Sequence, residues 1–229
     1  MNAGRTARDR ARAELTQEIK DAARRQLATE GAERLSLRAV SRELGMVSSA
    51  LYRYFPSRDE LLTALIIDAY NALGSKAETA AKNAGPPREA WLAVCQAVRT
   101  WAIKHPQEYA LIYGSPVAGY QAPESTIEPA GRVAIALLRI LSEAWASGVL
   151  VPPDDTPEPS GLMAEQLGVL AEIVPGVPLK VLARAMIALT QLYGMVSFEL
   201  FGQLVGTMDP ADEFFADATS QLATFIGIG

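Results

Sequence analysis

The chain has 229 residues, of which 49% are hydrophobic and 21% charged, the balance of a soluble globular protein rather than a disordered one. Its formal net charge of −5 argues against indiscriminate binding to nucleic acid, but the charge is unevenly spread. Residues 1–60 hold twelve Lys and Arg against nine Asp and Glu, and the remainder nine against seventeen. A basic end on an acidic body suggests that only that end meets a polyanion.

Apolar residues recur mostly at helical spacing, and strand signals are nearly absent. Leu15, Ile19, Ala23 and Leu27 form one face of a first helix that Gly31 is placed to end. Ser36 can cap a short second helix carrying Leu37, Val40 and Leu44, which Gly45 stops. A third short helix runs from Ser48 to Tyr54 and closes before Pro56. Ser57 then caps a long helix opening Arg58-Asp59-Glu60 and reaching about Lys82. After Pro86-Pro87 the spacing predicts helices over Arg88–Lys104, Gln107–Tyr113, Ala130–Ser147, Gly161–Ile173, Pro178–Val205 and Pro210–Ile226. Gly114–Pro129 reads as a loop with some helical turn, and the proline-rich Val151–Ser160 as an exposed, mobile connection. The expected fold is all-α. It comprises an N-terminal three-helix helix-turn-helix domain over residues 1–60 and a helical effector-binding and dimerisation domain over 61–229.

The single cysteine, Cys95, excludes an intramolecular disulfide and a cysteine-based zinc cluster, and its apolar neighbours mark it as a buried structural thiol. With one histidine and no Gly-rich phosphate loop, the sequence offers no nucleophile, acid–base set or metal cluster, so no enzyme, metal site or cofactor is expected. The N-terminus lacks the apolar core of a secretory signal. The longest apolar stretch, Val181–Val205, is interrupted by Arg184, Gln191, Glu199 and Gln203. A membrane span is therefore not expected, and the expected compartment is the cytoplasm.

Leu35–Leu62 is the informative segment. Two short helices joined by a Gly-containing turn, the second ending in aromatics, fit a helix-turn-helix. The major groove, about 12 Å wide, just admits one helix. Leu51, with Phe55, can anchor that helix to its own domain, leaving Ser48, Ser49, Ala50, Arg53 and Tyr54 toward base edges. Tyr52 and Arg58 can place polar groups on phosphates.

The run Leu51-Tyr52-Arg53-Tyr54-Phe55-Pro56-Ser57-Arg58-Asp59-Glu60-Leu61-Leu62 resembles the signature of the TetR family of bacterial repressors, Leu-Tyr-x-(His/Tyr)-Phe-x-(Ser/Asn)-Lys-(Asp/Glu)-x-Leu. The preceding Val40-Ser41-Arg42-Glu43-Leu44-Gly45-Met46 matches that family's Ala-x-x-x-Gly-Val with small substitutions. The resemblance covers residues 12 to about 65. It implies that Arg38 contacts a base or phosphate, that Ser48, Ser49 and Ala50 lie at base-reading positions, and that Tyr52, Tyr54 and Arg58 hold phosphates. Arg53 falls at a variable position that can face DNA. Ser41 replaces an alanine and Arg58 a lysine. Val47 stands where the family places a capping Ser or Thr, so Ser48 either caps the helix or reads DNA. The arginines Arg5, Arg8, Arg10 and Arg12 form either an arm in the minor groove or a disordered tail.

Ala90–Gly148 resembles, more loosely, a subgroup named for a Trp, a His and a Gly, here Trp101, His105 and Gly114. His105 braces the helix end before Pro106 or touches a ligand. The family resemblance implies a small hydrophobic or aromatic effector in a cavity between central helices, for which Trp91, Trp101, Tyr109, Tyr113, Trp145, Met163 and Tyr193 are candidates. The penultimate helix is apolar all round, with Leu182, Met186, Leu189, Tyr193, Val196 and Leu200 on one side and Ile187, Leu192, Met195, Phe198 and Phe201 on the other. With Phe215, Leu222 and Phe225 of the last helix, the first side is expected to form a four-helix, two-fold homodimer interface. A dimer implies a palindromic double-stranded DNA operator. The expected function is a ligand-responsive homodimeric repressor.

Overall fold

The computed structural model describes residues 3–229, with side chains from Ala7 onward. Among the described residues there are ten α-helices, and extended pairing is limited to one isolated antiparallel bridge, Leu150–Ile228. The fold is all-α, as the periodicity predicts. The chain divides into two compact units. One holds the described residues up to Ala69 together with Gln107–Ile127; the other holds Tyr70–Pro106 and Glu128–Gly229.

The first unit begins with α1 (Ala3–Glu30), whose Ile19, Ala22, Ala23 and Leu27 are buried. The arginine-rich start is helical from Ala3; the side chain of Arg5 lies outside the described residues. α2 (Leu37–Glu43) and α3 (Ser48–Leu51) follow, and α4 (Arg58–Asn83) starts in this unit. α6 (Pro106–Tyr113) lies almost wholly in it. Buried Leu61, Leu62 and Leu65 of α4 complete the core. Ion pairs tie three helices: Lys20 reaches Asp68 at 3.0 Å, while Arg24 reaches Asp68 at 2.7 Å and Glu108 at 3.1 Å.

The second unit contains the rest of α4 with α5 (Pro87–Lys104), α7 (Ile127–Ala146) from Glu128 on, α8 (Gly161–Ala171), α9 (Leu179–Leu200) and α10 (Asp212–Ile226). α7 starts earlier than the sequence suggests because Pro129 falls in its first turn, where a missing N–H costs no hydrogen bond. α9 stops earlier, at Leu200, and turns at Gly202 and Gly206 carry the chain onward. The core of this unit includes Trp91, Val94, Leu141, Leu182, Leu192 and Phe215. Cys95 lies fully inside it, and burial pushes its thiol pKa up, so it stays protonated and inert.

Arginines organise this unit. Arg99, 5% exposed, clamps the two carboxylate oxygens of Glu199 at 2.7 Å each and Asp212 at 3.0 Å, joining α5 to α9 and α10. Arg88 donates to the carbonyls of Ile228 (2.6 Å) and Ser220 (3.1 Å). Arg184 lies over the Phe225 ring, donates to the Phe225 carbonyl, and donates to the Thr156 hydroxyl at 2.8 Å. That last contact corrects the reading of Val151–Ser160 as a mobile connection. Thr156 is buried, Val151 N–H donates to the Gly227 carbonyl at 2.8 Å, and Glu158 pairs with Lys180 at 3.0 Å. Gly227 makes this seam possible: at φ 106° any Cβ would stand 2.4 Å from the Val151 carbonyl oxygen.

The residues expected at the dimer interface differ in exposure. Leu182, Val196 and Phe215 are buried within their own subunit, at 0%, 0% and 2% exposure, so none of them presents a surface. Leu189, Leu200, Leu222 and Phe225 are half-buried and Met186 is exposed. The large exposed apolar side chains instead include Leu162, Met163, Val169 and Ile173 on and just after α8, and Met186, Ile187 and Phe198 on α9, the helix α8 packs against.

Arg99→Met should lower stability toward urea by about 2–3 kcal/mol, because removing one member of a buried pair strands its partner. The deficit should shrink on acidification. Arg99, by hydrogen bond and charge, holds the Asp212 carboxyl below its ordinary range. Its contribution is therefore full above the unfolded pKa and lost as pH falls through the folded one. Urea titrations of both proteins from neutral to acid pH measure this; a constant or widening gap contradicts it.

Candidate nucleic-acid interface

α2 ends in a left-handed glycine turn: Gly45 has φ 64°, its N–H donates to the Arg42 carbonyl at 3.1 Å, and Met46 N–H to that of Ser41 at 2.8 Å. This six-to-one and five-to-two pair closes α2 and aims the chain into α3. Residues with a Cβ resist that φ, which is why glycine stands there. At the start of α2, Ser36 occupies the cap position without a side-chain cap bond. Its N–H donates to buried Gln26 Oε1 at 3.1 Å, so a glutamine of α1 holds the start of α2 through the backbone of the cap residue.

α3 itself is one turn, Ser48–Leu51, continued by tighter turns through Tyr54 with Arg53 N–H to Ala50 O (3.2 Å) and Tyr54 N–H to Leu51 O (2.8 Å). Leu51 and Phe55 are buried beneath it, as a reading helix requires. The choice left open for Ser48 takes a third form. Val47 remains the capping residue without a side-chain bond, and the helix start does not shift. Ser48 Oγ lies 3.1 Å from Ser41 Oγ. Ser41, 1% exposed, donates to the Arg38 carbonyl at 2.9 Å, so the shared proton comes from Ser48. Serine in place of the family's alanine at 41 thus fastens α3 to α2.

The other candidates divide by exposure. Arg38, Ser49, Tyr52 and Arg53 are exposed, and Ala50 is half-exposed. Tyr54 is half-buried, with the Arg12 guanidinium 5.3 Å from its ring centre. Arg8, Arg12, Met46, Ala50, Arg53 and Tyr54 line a groove of about 570 Å³ between α1 and α3. Arg58 has partners of its own. Its Nη2 donates to the carbonyls of Ala32 (2.9 Å) and Glu33 (3.3 Å), and its Nε to that of Leu35 (3.2 Å). It therefore latches α4 to the turn that precedes α2. Three features of this surface were not anticipated in the sequence: Arg42, exposed four residues after Arg38; the outward exposure of Val47, at 71%; and the placement of Arg12 over Tyr54. The four-residue spacing of Arg38 and Arg42 was the legible signal for one of them.

The effector candidates scatter. Trp91 and Tyr109 are fully buried core, and the Trp91 indole N–H donates to the Thr219 carbonyl at 3.1 Å. Met163 is exposed on α8; Tyr113, Trp145 and Tyr193 are half-buried. Tyr109 and Tyr113 pack ring to ring at 5.1 Å in the first unit. Trp101, stacked on His105 at 5.3 Å, lines a groove of about 580 Å³ between α4 and α5 in the second unit. The His105 backbone N–H donates to the Trp101 carbonyl at 2.9 Å and ends α5, a main-chain bond independent of the imidazole. Among the described residues no cluster of His, Cys, Asp or Glu has metal-binding geometry.

A one-turn helix with a polar outer face, seated on two buried anchors behind a glycine turn, defines the class: a helix-turn-helix transcriptional regulator. Residues 19–65 match the model of bacterial regulatory proteins of the tetR family, and residues 91–222 match a tetracyclin repressor-like C-terminal domain. The chain belongs to the TetR family, whose members are DNA-binding transcriptional regulators and not enzymes. It is 39% identical over 220 residues to the HTH-type transcriptional regulator Rv1816 of Mycobacterium tuberculosis, covering 93% of this chain and 92% of that one. Among solved structures, the regulatory protein SCO4313 shares 34% identity with a TM-score of 0.76, over 94% of this chain and 98% of that one. The TetR family transcriptional regulator PfmR of Thermus thermophilus shares the fold, at 19% identity and a TM-score of 0.58 over 92% and 97% of the two chains.

Arg58→Ala should destabilise the protein by about 1–2 kcal/mol, since it removes charge-assisted bonds to three carbonyls. Tyr52→Phe, at an exposed hydroxyl, should stay within about 0.5 kcal/mol of the parent. Urea unfolding of the two variants checks this; equal stability would mean that the Arg58 latch contributes nothing.

Proposed function

We propose that the protein is a homodimeric repressor that binds a palindromic operator and is released by a small apolar or aromatic effector. The observation that carries the DNA-binding half is the outer surface of α2 and α3. Arg38, Arg42, Ser49, Tyr52 and Arg53 are exposed on an otherwise acidic chain, above buried Leu51 and Phe55. In this reading Arg38, Arg42 and Tyr52 hold phosphates, while Ser49, Ala50 and Arg53 meet base edges. Val47, exposed at the tip of α3, suits a thymine methyl. Ser48 and Arg58 position α3 from behind, and Arg12 holds Tyr54 beside it. The DNA-binding module then comprises residues 1–60 and the effector and dimer functions residues 61–229, in the cytoplasm.

Dimerisation is supported by the exposed apolar side chains of α8 and α9. Helix α9 is long and apolar enough to cross a membrane by length and composition, and only 33% of its most apolar window is buried. A second copy, rather than lipid, covers that surface in this reading. α9 contributes its other side to a globular core through Leu182, Ala185, Ala188 and Leu192, which a lipid-embedded helix would not need. Two-fold pairing then presents two heads to two half-sites.

Two measurements test the proposal. Genomic fragments selected by the protein should bind with affinity that falls steeply with salt, log K dropping by about 0.9 per phosphate contact for each unit of log salt. Arg38→Ala and Arg42→Ala should each flatten that slope, whereas Arg53→Ala or Val47→Ala should shift the preferred sequence. Salt-independent binding would sink the DNA surface drawn here. Separately, sedimentation at micromolar concentration should give a dimer that Ile187→Glu or Phe198→Glu converts to monomer; a monomeric parent refutes the interface.

A further inference from the structure

The groove between α4 and α5 has a charge pattern that its aromatic wall does not explain. Its floor is apolar, made by Ala80, Ala93, Ala97 and Trp101. Lys76 of α4 and Lys104 of α5 stand at its rim, both exposed and neither in an ion pair or hydrogen bond among the described residues. No Asp or Glu lines it. That is unusual in this chain: the 169 residues after Glu60 carry about twice as many acids as bases. Glu78, on α4 between Lys76 and Thr79, is committed elsewhere, to Arg132 at 2.7 Å. The other polar residues lining it, Thr79, Gln96, Thr100 and His105, carry no negative charge either. Gln96 donates to Thr100 Oγ1 at 3.2 Å, and Thr79 Oγ1 donates to the Ser75 carbonyl at 2.7 Å.

Lysine stems lie along apolar surface while their ammonium heads seek polar company. Two unpaired ammonium heads border one apolar floor, and the low-dielectric walls concentrate their positive field. An anion with an apolar body suits both features: its hydrocarbon covers the alanines beside Trp101, whose ring is buried and stacked on His105, and its carboxylate takes charge-assisted bonds from the lysines. A volume of about 580 Å³ is adequate for a molecule of that kind. A neutral hydrocarbon leaves the lysines unpaired, and an organic cation is repelled.

We infer that this groove binds a small organic carboxylate with an apolar body, gripped through its carboxylate by Lys76 and Lys104. The inference rests on the ligand-responsive reading above, and it names the effector's chemical class. α4, which begins at the helix-turn-helix latch Arg58 and carries Lys76, is the element a bound carboxylate would act upon.

The probes are decanoate and 2-naphthoate, each compared with its alcohol, decan-1-ol and 2-naphthylmethanol, by calorimetric titration of the full-length protein without DNA. At least one carboxylate should bind about tenfold or more tighter than its alcohol, the scale of a charge-assisted contact. Lys76→Gln with Lys104→Gln should remove that preference while leaving alcohol binding and the melting temperature unchanged. Ala97→Trp, which fills the floor, should abolish binding of both. Carboxylates that bind no better than their alcohols, or a preference that survives in the double lysine variant, overturn the inference. A gel shift with a selected genomic fragment is read separately. Carboxylate bound through the lysines without release of DNA supports the groove and refutes the ligand-responsive reading. Release by carboxylate that the double lysine variant retains in full refutes the groove and leaves that reading standing.

Discussion

One turn of helix does not hold its shape in water, because nucleating a helix fixes several residues for each hydrogen bond gained and short helices melt. α3 is one such turn, and it is the element that has to enter the groove of DNA in a defined pose. Its order is therefore borrowed from its surroundings. Leu51 and Phe55 anchor it from below, the Gly45 turn aims it, and Ser48 fastens it to Ser41 on α2. Arg58 closes α4 onto the carbonyls just before α2, and Arg12 covers Tyr54 from α1. The polar surface of α3 is left open because every bond that stabilises it comes from behind or from the side.

Seen in this way, two departures from the family pattern belong together. Valine at 47 removes the usual side-chain cap, which costs a short helix about 1 kcal/mol. Serine at 41 supplies a hydrogen bond to Ser48 one residue further on, tying the same end of α3 by another route. The exchange also frees the tip of the helix to carry an apolar side chain outward. A Ser or Thr cap at 47 would turn its hydroxyl back toward the helix backbone; the valine points two methyl groups into solvent.

The order and type of the helices were legible in the sequence because helical spacing, glycine stops and proline breaks act locally. Gly31 and Gly45 both take the positive φ that favours glycine, Gly31 with an extended ψ of 169°, and Ser57 Oγ accepts from Glu60 N–H at 3.1 Å as a cap should. Partners far apart in the chain were not legible. Gln26, Arg58, Arg88 and Arg184 look like ordinary surface residues, and only the fold brings Gln26 to Ser36 and Arg184 to Thr156. The latter bond is why a proline-rich, acidic stretch that reads as mobile is strapped to the core.

Helix α9 shows a different limit. Periodicity identifies a buried face by contrast with a polar one, and α9 offers little contrast. Its stripe through Leu182, Leu189 and Val196 and its opposite side with Ile187 and Phe198 are equally apolar, so composition cannot say which side faces home. Burial separates them: Leu182 and Val196 are fully enclosed, while Ile187 and Phe198 stand 47% and 55% exposed. The same ambiguity extends to the neighbouring helices: Phe215 of α10 is as apolar as Leu162 of α8, but Phe215 lies inside the core against Arg99 while Leu162 stands exposed. An apolar surface of that size on α8 and α9 is maintained at a cost in solubility unless something covers it. A second copy covering it, as proposed, would let two half-sites be bound together, which gains far more than either alone.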